Sequence, residues 1–121
     1  MNTEEMIRKI VKQTIAELRA SDMIRTSGKT EEEKTEELLR HYNYFLASKK
    51  PELIKVVGEI DDALRAIEND PFYPLIPMYY FSGESREDIA SYFEVSVRTV
   101  SRQKRRLIRI LSNILFPRGA G

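Results

Sequence analysis

Four arginines close to the carboxy terminus recur at spacings of four, three and four residues: Arg98, Arg102, Arg105 and Arg109. Because an α-helix has 3.6 residues per turn, this spacing places all four side chains on one helix face. Aliphatic residues between them fall on the opposite face, which predicts one buried and one cationic side. Guanidinium groups on an exposed helix suit both neutralisation of phosphates and bidentate hydrogen bonds to guanine edges in a DNA major groove.

The position of each residue along this helix predicts its role in binding. Ser96 is suited to cap the helix, and side chains near its start would face bases: Val97, Arg98, Ser101 and Arg102. Three arginines further along would meet phosphates: Arg105, Arg106 and Arg109. These eight residues form the candidate DNA-binding site.

A second, shorter helix must precede this one to hold it in place. Ser85 is suited to cap that helix, and the small Ala90 lets another helix cross close by. Glu94 and Val95 form the turn, and Val100 directs a second aliphatic side chain into the same core. The sequence therefore predicts a helix-turn-helix that ends in the cationic helix.

The charge distribution also favours nucleic acid as the partner. Residues 1–94 carry 13 basic and 19 acidic residues, a net charge of −6, whereas residues 95–121 carry seven basic and no acidic residues. An acidic body with a basic arm is typical of a DNA-binding element attached to another part. A solvated charged helix face is the alternative interpretation of the basic arm.

The amino-acid composition excludes most types of catalytic and metal-binding site. The 121 residues contain no cysteine and one histidine, His41, which we expect to be a packing or surface residue. We therefore expect no enzyme activity, no cofactor and no metal site. No apolar run approaches the roughly 20 residues that a membrane span needs, so we expect a cytoplasmic protein.

The remaining pattern predicts an all-α fold in three parts. Residues 1–29 would form an amphipathic helix at 3–20 and a hinge at 21–29. Residues 30–70 would form a helical hairpin, whose helices run from Thr30 to Lys49 and from Pro51 to about residue 68. Residues 71–121 would carry a short helix at 75–81, bounded by prolines, and the helix-turn-helix. Aromatic residues at 72–81 are expected in the core rather than stacked on bases.

Two apolar surfaces need a covering element. The tail from Leu107 to Phe116 is apolar around most of its helix, and either the predicted hairpin or a second subunit must cover it. The stripe on residues 7–18 would suit a homodimer, which would also supply a second DNA half-site.

Two resemblances extend this interpretation. The chain resembles the promoter-reading carboxy-terminal domain of bacterial sigma factors at Gly83, Ser85 and residues 88–90, 95–96 and 99–100. Over residues 35–117 the chain looks like the ArpU/RinA family of phage and prophage transcriptional regulators, through residues 35–39, 42–43, 67–73, 79–81, 99–102, 106–108 and 114–116. The second resemblance implies a small DNA-binding protein associated with control of late genes in a bacterial host.

We therefore expect a sequence-specific, double-stranded DNA-binding transcriptional regulator of phage type. One alternative is a small terminase-type DNA-packaging subunit, which would also combine a helix-turn-helix with assembly helices. Another alternative is an adaptor that binds RNA polymerase or a sigma factor without DNA. Host RNA polymerase could also be a partner of the DNA-binding regulator.

Overall fold

A computed structural model of the chain describes residues 30–117, and every regular element in that range is helical, as predicted. The elements are α1 (Glu31–Arg40), α2 (Tyr42–Ser48), α3 (Pro51–Ala66), a π-helix (Pro77–Phe81), α4 (Arg86–Phe93) and α5 (Val97–Leu115). None of these helices in residues 30–117 is both long and apolar enough to cross a membrane. The helix predicted over residues 3–20 and the hinge at 21–29 lie outside the described residues.

Local hydrogen bonding explains where the helices begin. The Thr30 hydroxyl accepts the Glu33 amide at 3.1 Å, and the Glu33 carboxylate accepts the Thr30 amide at 3.1 Å, so the two residues form a capping box at the predicted start of the helix. Ser85 and Ser96 cap α4 and α5 in the same way, through amides three residues later. Pro51 occupies the first turn of α3, where its missing N–H costs no hydrogen bond.

The predicted hairpin differs from the structure in its first half. The expected single helix from Thr30 to Lys49 is interrupted at His41, which separates α1 from α2. While α2 packs on α3, the main neighbour of α1 is α5. The break lets the two short helices bury different faces, and Leu46 of α2 is 49% exposed.

Most of the apolar tail of α5 is covered by the chain itself, although Ile114 remains 42% exposed. Leu107, Leu111 and Phe116 are each no more than 1% exposed. They belong to one continuous core that includes buried residues of α1, α2, α3 and α4. Full burial of one such side chain stabilises the fold by about 2 kcal/mol, so α1 and α5 hold each other firmly.

The segment between α3 and α4 packs its aromatic side chains inward, as predicted. Tyr80 is 8% exposed, and the ring of Phe81 stacks on that of Tyr42 with 4.2 Å between centroids. The Tyr42 hydroxyl in turn donates to Asp61 at 2.8 Å, and burial together with this carboxylate raises the pKa of Tyr42 to about 12. The π-helix is thereby fixed against α2, which is in turn bonded to α3.

Candidate nucleic-acid interface

A three-residue turn sets the direction of α5 relative to α4. Glu94 adopts a left-handed conformation with φ 57°, and the Val95 amide donates to the Ala90 carbonyl at 3.0 Å. Ile89 and Val100, one from each helix, are fully buried beneath the turn. The start of α5 is therefore held by packing from below while its other face remains open to solvent.

The predicted base-facing residues lie at this open start. The Ser96 hydroxyl accepts the Thr99 amide at 3.1 Å, so its side chain is engaged as the helix cap. Val97 is 38% exposed, Arg98 and Arg102 are exposed, and Ser101 is half-buried between the open face and the core. The structure brings these side chains onto adjoining positions of the first two turns of α5.

The four arginines of the cationic face of α5 differ in their surroundings. Within residues 30–117, Arg98, Arg102 and Arg105 are exposed and form no ion pair. Arg109 is also exposed, but its Nε lies 3.8 Å from the Glu32 carboxylate of α1. The cationic face is therefore unpaired over its first half and meets an acidic neighbour in its second half.

Arg106 has a different environment from the one that the sequence suggested. Its two terminal nitrogens donate to the two carboxylate oxygens of Asp70, both at 2.9 Å, and its Nε donates to Gln103 at 2.7 Å. The hydrogen bond from Arg106 lowers the pKa of Asp70, and Asp70 raises the pKa of Arg106. Phosphate would have to compete with this bidentate pair, so Arg106 fastens α5 to the turn that follows α3 instead of extending the open cationic face.

Lys104 is likewise engaged inside the molecule, although it carries the same charge as the arginines. Its Nζ lies 3.5 Å from the Glu36 carboxylate and 4.8 Å from the centroid of the Tyr79 ring, and its side chain is only 14% exposed. The lysine therefore links α5 to α1 and to the π-helix at once.

Glu36 is the centre of this network. The Tyr80 hydroxyl donates to it at 2.5 Å, and burial together with the carboxylate raises the pKa of Tyr80 far above its ordinary value. Burial also raises the pKa of Glu36, but the hydrogen bond from Tyr80 and the charges of Lys104 and Arg40 outweigh that effect and leave the pKa lowered. The carboxylate is thus ionised at neutral pH and orients the middle of α5.

One cationic residue of this surface was not selected from the sequence. Arg86 is the first residue of α4, is exposed, and lines a cleft shared with Ser101 and Arg105. The signal that could have identified it is its place directly after the Ser85 cap, at the N-terminal end of α4, because the first helix of a helix-turn-helix lies across the DNA backbone.

Among residues 30–117, no three acidic or histidine side chains are grouped so that they could hold a metal ion. No protein-family model, curated protein or solved structure gave a significant match to the chain. What the surface can do must therefore be argued from its own side chains: it offers unpaired guanidinium groups, hydroxyls and one exposed valine on a firmly held helix.

Proposed function

We propose that the chain is a sequence-specific, double-stranded DNA-binding transcriptional regulator of phage type, with α4, the turn and α5 acting as a helix-turn-helix. The observation that carries the proposal is the set of three unpaired, exposed arginines on the first half of α5, Arg98, Arg102 and Arg105. The resemblance of residues 35–117 to ArpU/RinA regulators points the same way and suggests control of late genes.

The open face of α5 suits a DNA major groove because it combines three kinds of contact. Arg98 and Arg102 can each donate two hydrogen bonds to a guanine, Val97 can contact a thymine methyl group, and Arg105 lies where phosphate is the nearer acceptor. Four residues advance a helix by about 6 Å, and successive bases by about 3.4 Å. We therefore expect the preferred site to hold two guanines about two steps apart.

The experiment begins with selection of bound sequences from a random duplex library by the full chain. Affinity for the selected duplex and for an unrelated duplex is then measured by fluorescence anisotropy over a range of salt concentrations. We expect Arg98→Ala and Arg102→Ala each to cost about 1–3 kcal/mol on the selected duplex and to relax preference at one base position. Arg105→Ala should instead weaken binding to both duplexes about equally and reduce the salt slope by about one.

Arg65→Ala is the matched control, because it also removes one exposed positive charge but lies on α3 in a pair with Asp62. It should leave both affinities unchanged. If Arg98→Ala and Arg102→Ala bind the selected duplex as the parent chain does, α5 does not enter the groove. If the parent chain binds no duplex even at low salt, the proposal of DNA binding itself is wrong.

A further inference from the structure

A cleft of about 350 Å³ lies beside the open face of α5, between α1, α4 and α5. One wall is basic and carries Arg86, Lys104 and Arg105, and the other is acidic and carries Glu32, Glu33 and Glu36. Opposite charges face each other across an opening that no element of the described chain fills. Which of these charges are free determines what the cleft can bind.

The acidic wall is engaged within the protein. The Glu33 carboxylate accepts the Thr30 amide at 3.1 Å, and Glu36 accepts hydrogen bonds from Tyr80 and Lys104. Glu32 lies 3.8 Å from Arg109. Each of these carboxylates has a cationic or hydrogen-bonding partner of its own, so none depends on a cation in the cleft.

The basic wall has two free groups. Lys104 is held by Glu36, but Arg86 and Arg105 are exposed and form no ion pair within the described part of the chain. The Arg86 guanidinium lies 6.0 Å from the centroid of the Tyr79 ring, which supports its stem without neutralising it. Two arginines without an ion pair, one from α4 and one from α5, therefore line one cleft together with Ser101.

We propose that this cleft is a backbone phosphate site, in which Arg86 and Arg105 grip the same phosphodiester group of the bound DNA. The inference rests on the proposed function, since the phosphate belongs to the strand that borders the groove entered by α5. Arginine suits this role because its planar fork forms charge-assisted hydrogen bonds to phosphate oxygens. The acidic wall would repel the strand from α1, so the phosphate is confined to the basic side.

The phosphate contact fixes the position of α5 along the duplex, but it does not distinguish one base from another. Arg86 therefore becomes a DNA-contacting residue outside the helix that faces the bases. Its removal should weaken binding to every duplex by the same factor and leave the base preference unchanged.

The test uses the selected duplex with single phosphates replaced, one at a time, by uncharged methylphosphonate. For the parent chain, neutralising the gripped phosphate should weaken binding about tenfold, which corresponds to the loss of a charge-assisted hydrogen bond. Both Arg86→Ala and Arg105→Ala should bind the unmodified duplex more weakly. Each should lose part of its sensitivity at that same position, because the other arginine still contacts the phosphate, and the double variant should lose the sensitivity altogether. Arg65→Ala should keep the sensitivity in full.

Three results would count against the site. If the two variants lose sensitivity at different phosphates, or if either keeps it in full, the two arginines do not share a phosphate, although DNA binding stands. If Arg86→Ala binds the unmodified duplex as the parent chain does, Arg86 makes no contact. If the parent chain fails to bind the unmodified duplex, the proposed function fails and the phosphate site fails with it.

Discussion

Replacement of Asp70 by Asn should destabilise the fold, and the loss should depend on pH. Both carboxylate oxygens of Asp70 accept hydrogen bonds from Arg106 at 2.9 Å, and one of them also accepts the Phe72 amide at 2.9 Å. Asparagine keeps the shape of the side chain and one oxygen acceptor. It removes the negative charge and turns an NH₂ donor towards the guanidinium group.

The size of the effect follows from the geometry and the exposure of the pair. A hydrogen bond to a charged group contributes about 1.5–3 kcal/mol when it is shielded from solvent. Arg106 is 42% exposed and Asp70 is 18% exposed, so solvent screening reduces the contribution. We expect Asp70→Asn to lower the free energy of unfolding by about 1–2 kcal/mol at neutral pH.

The pH dependence has a definite sign. Arg106 lowers the pKa of Asp70 in the folded chain relative to the unfolded chain. The stabilisation from this pair is therefore fully present above the unfolded pKa of about 4 and is lost as the pH falls through the folded pKa. The difference between the parent chain and Asp70→Asn should be largest near neutral pH and should shrink in acid.

Urea denaturation followed by circular dichroism at several pH values measures this difference. Asp62→Asn is the control, because its pair with Arg65 is 2.8 Å long but about 65% exposed, and such pairs contribute less than about 0.5 kcal/mol. Arg106→Gln should add little to the effect of Asp70→Asn, since both changes break the same contact. An Asp70→Asn loss that is no larger than that of Asp62→Asn, or that does not change with pH, would refute the assigned role of this pair.

Two further predictions concern the turn between α4 and α5. Glu94→Gly should stabilise the chain by about 0.5 kcal/mol or more in the same denaturation assay, because a left-handed conformation costs glycine little and glutamate about 1 kcal/mol; an unchanged or lower stability would contradict this account of the turn. Ala90→Leu should cost about 1–3 kcal/mol and abolish DNA binding in the anisotropy assay, since the residue is 7% exposed where the helices meet; parent-like binding would show that the crossing does not position α5.

Helix starts could be predicted from the sequence because their chemistry is local. Thr30, Ser85 and Ser96 each bond to an amide three residues away, so the residue types and spacing were sufficient. The break at His41 and the exposure of Leu46 could not be predicted in this way. The two short helices pack on different partners, α1 on α5 and α2 on α3, and the residues of α5 lie more than fifty positions further along the chain.

In the candidate site, too, local features could be predicted from the sequence and long-range contacts could not. The spacing of the four arginines defined a helix face, but residue spacing carries no information about where each guanidinium group finds a partner. Arg106 lies about 80° around the helix from Arg98, which is the signal that separates it from the stripe. Its partner Asp70, however, is 36 residues away, and only the tertiary fold brings the two together.

These pairings change what the basic arm can contribute to DNA binding. Counting all six basic residues from 95 to 117 as phosphate contacts would give a salt slope of about −5 per protomer. In the described chain Lys104 and Arg106 are engaged by Glu36 and Asp70, and Arg109 faces Glu32. The unpaired cations of the surface are then Arg98, Arg102 and Arg105, with Arg86 added from α4. Within residues 30–117 these four contacts correspond to a slope of about −4 per protomer, so the base contacts of α5 should account for a larger share of specific binding than the charge of the basic arm alone suggests.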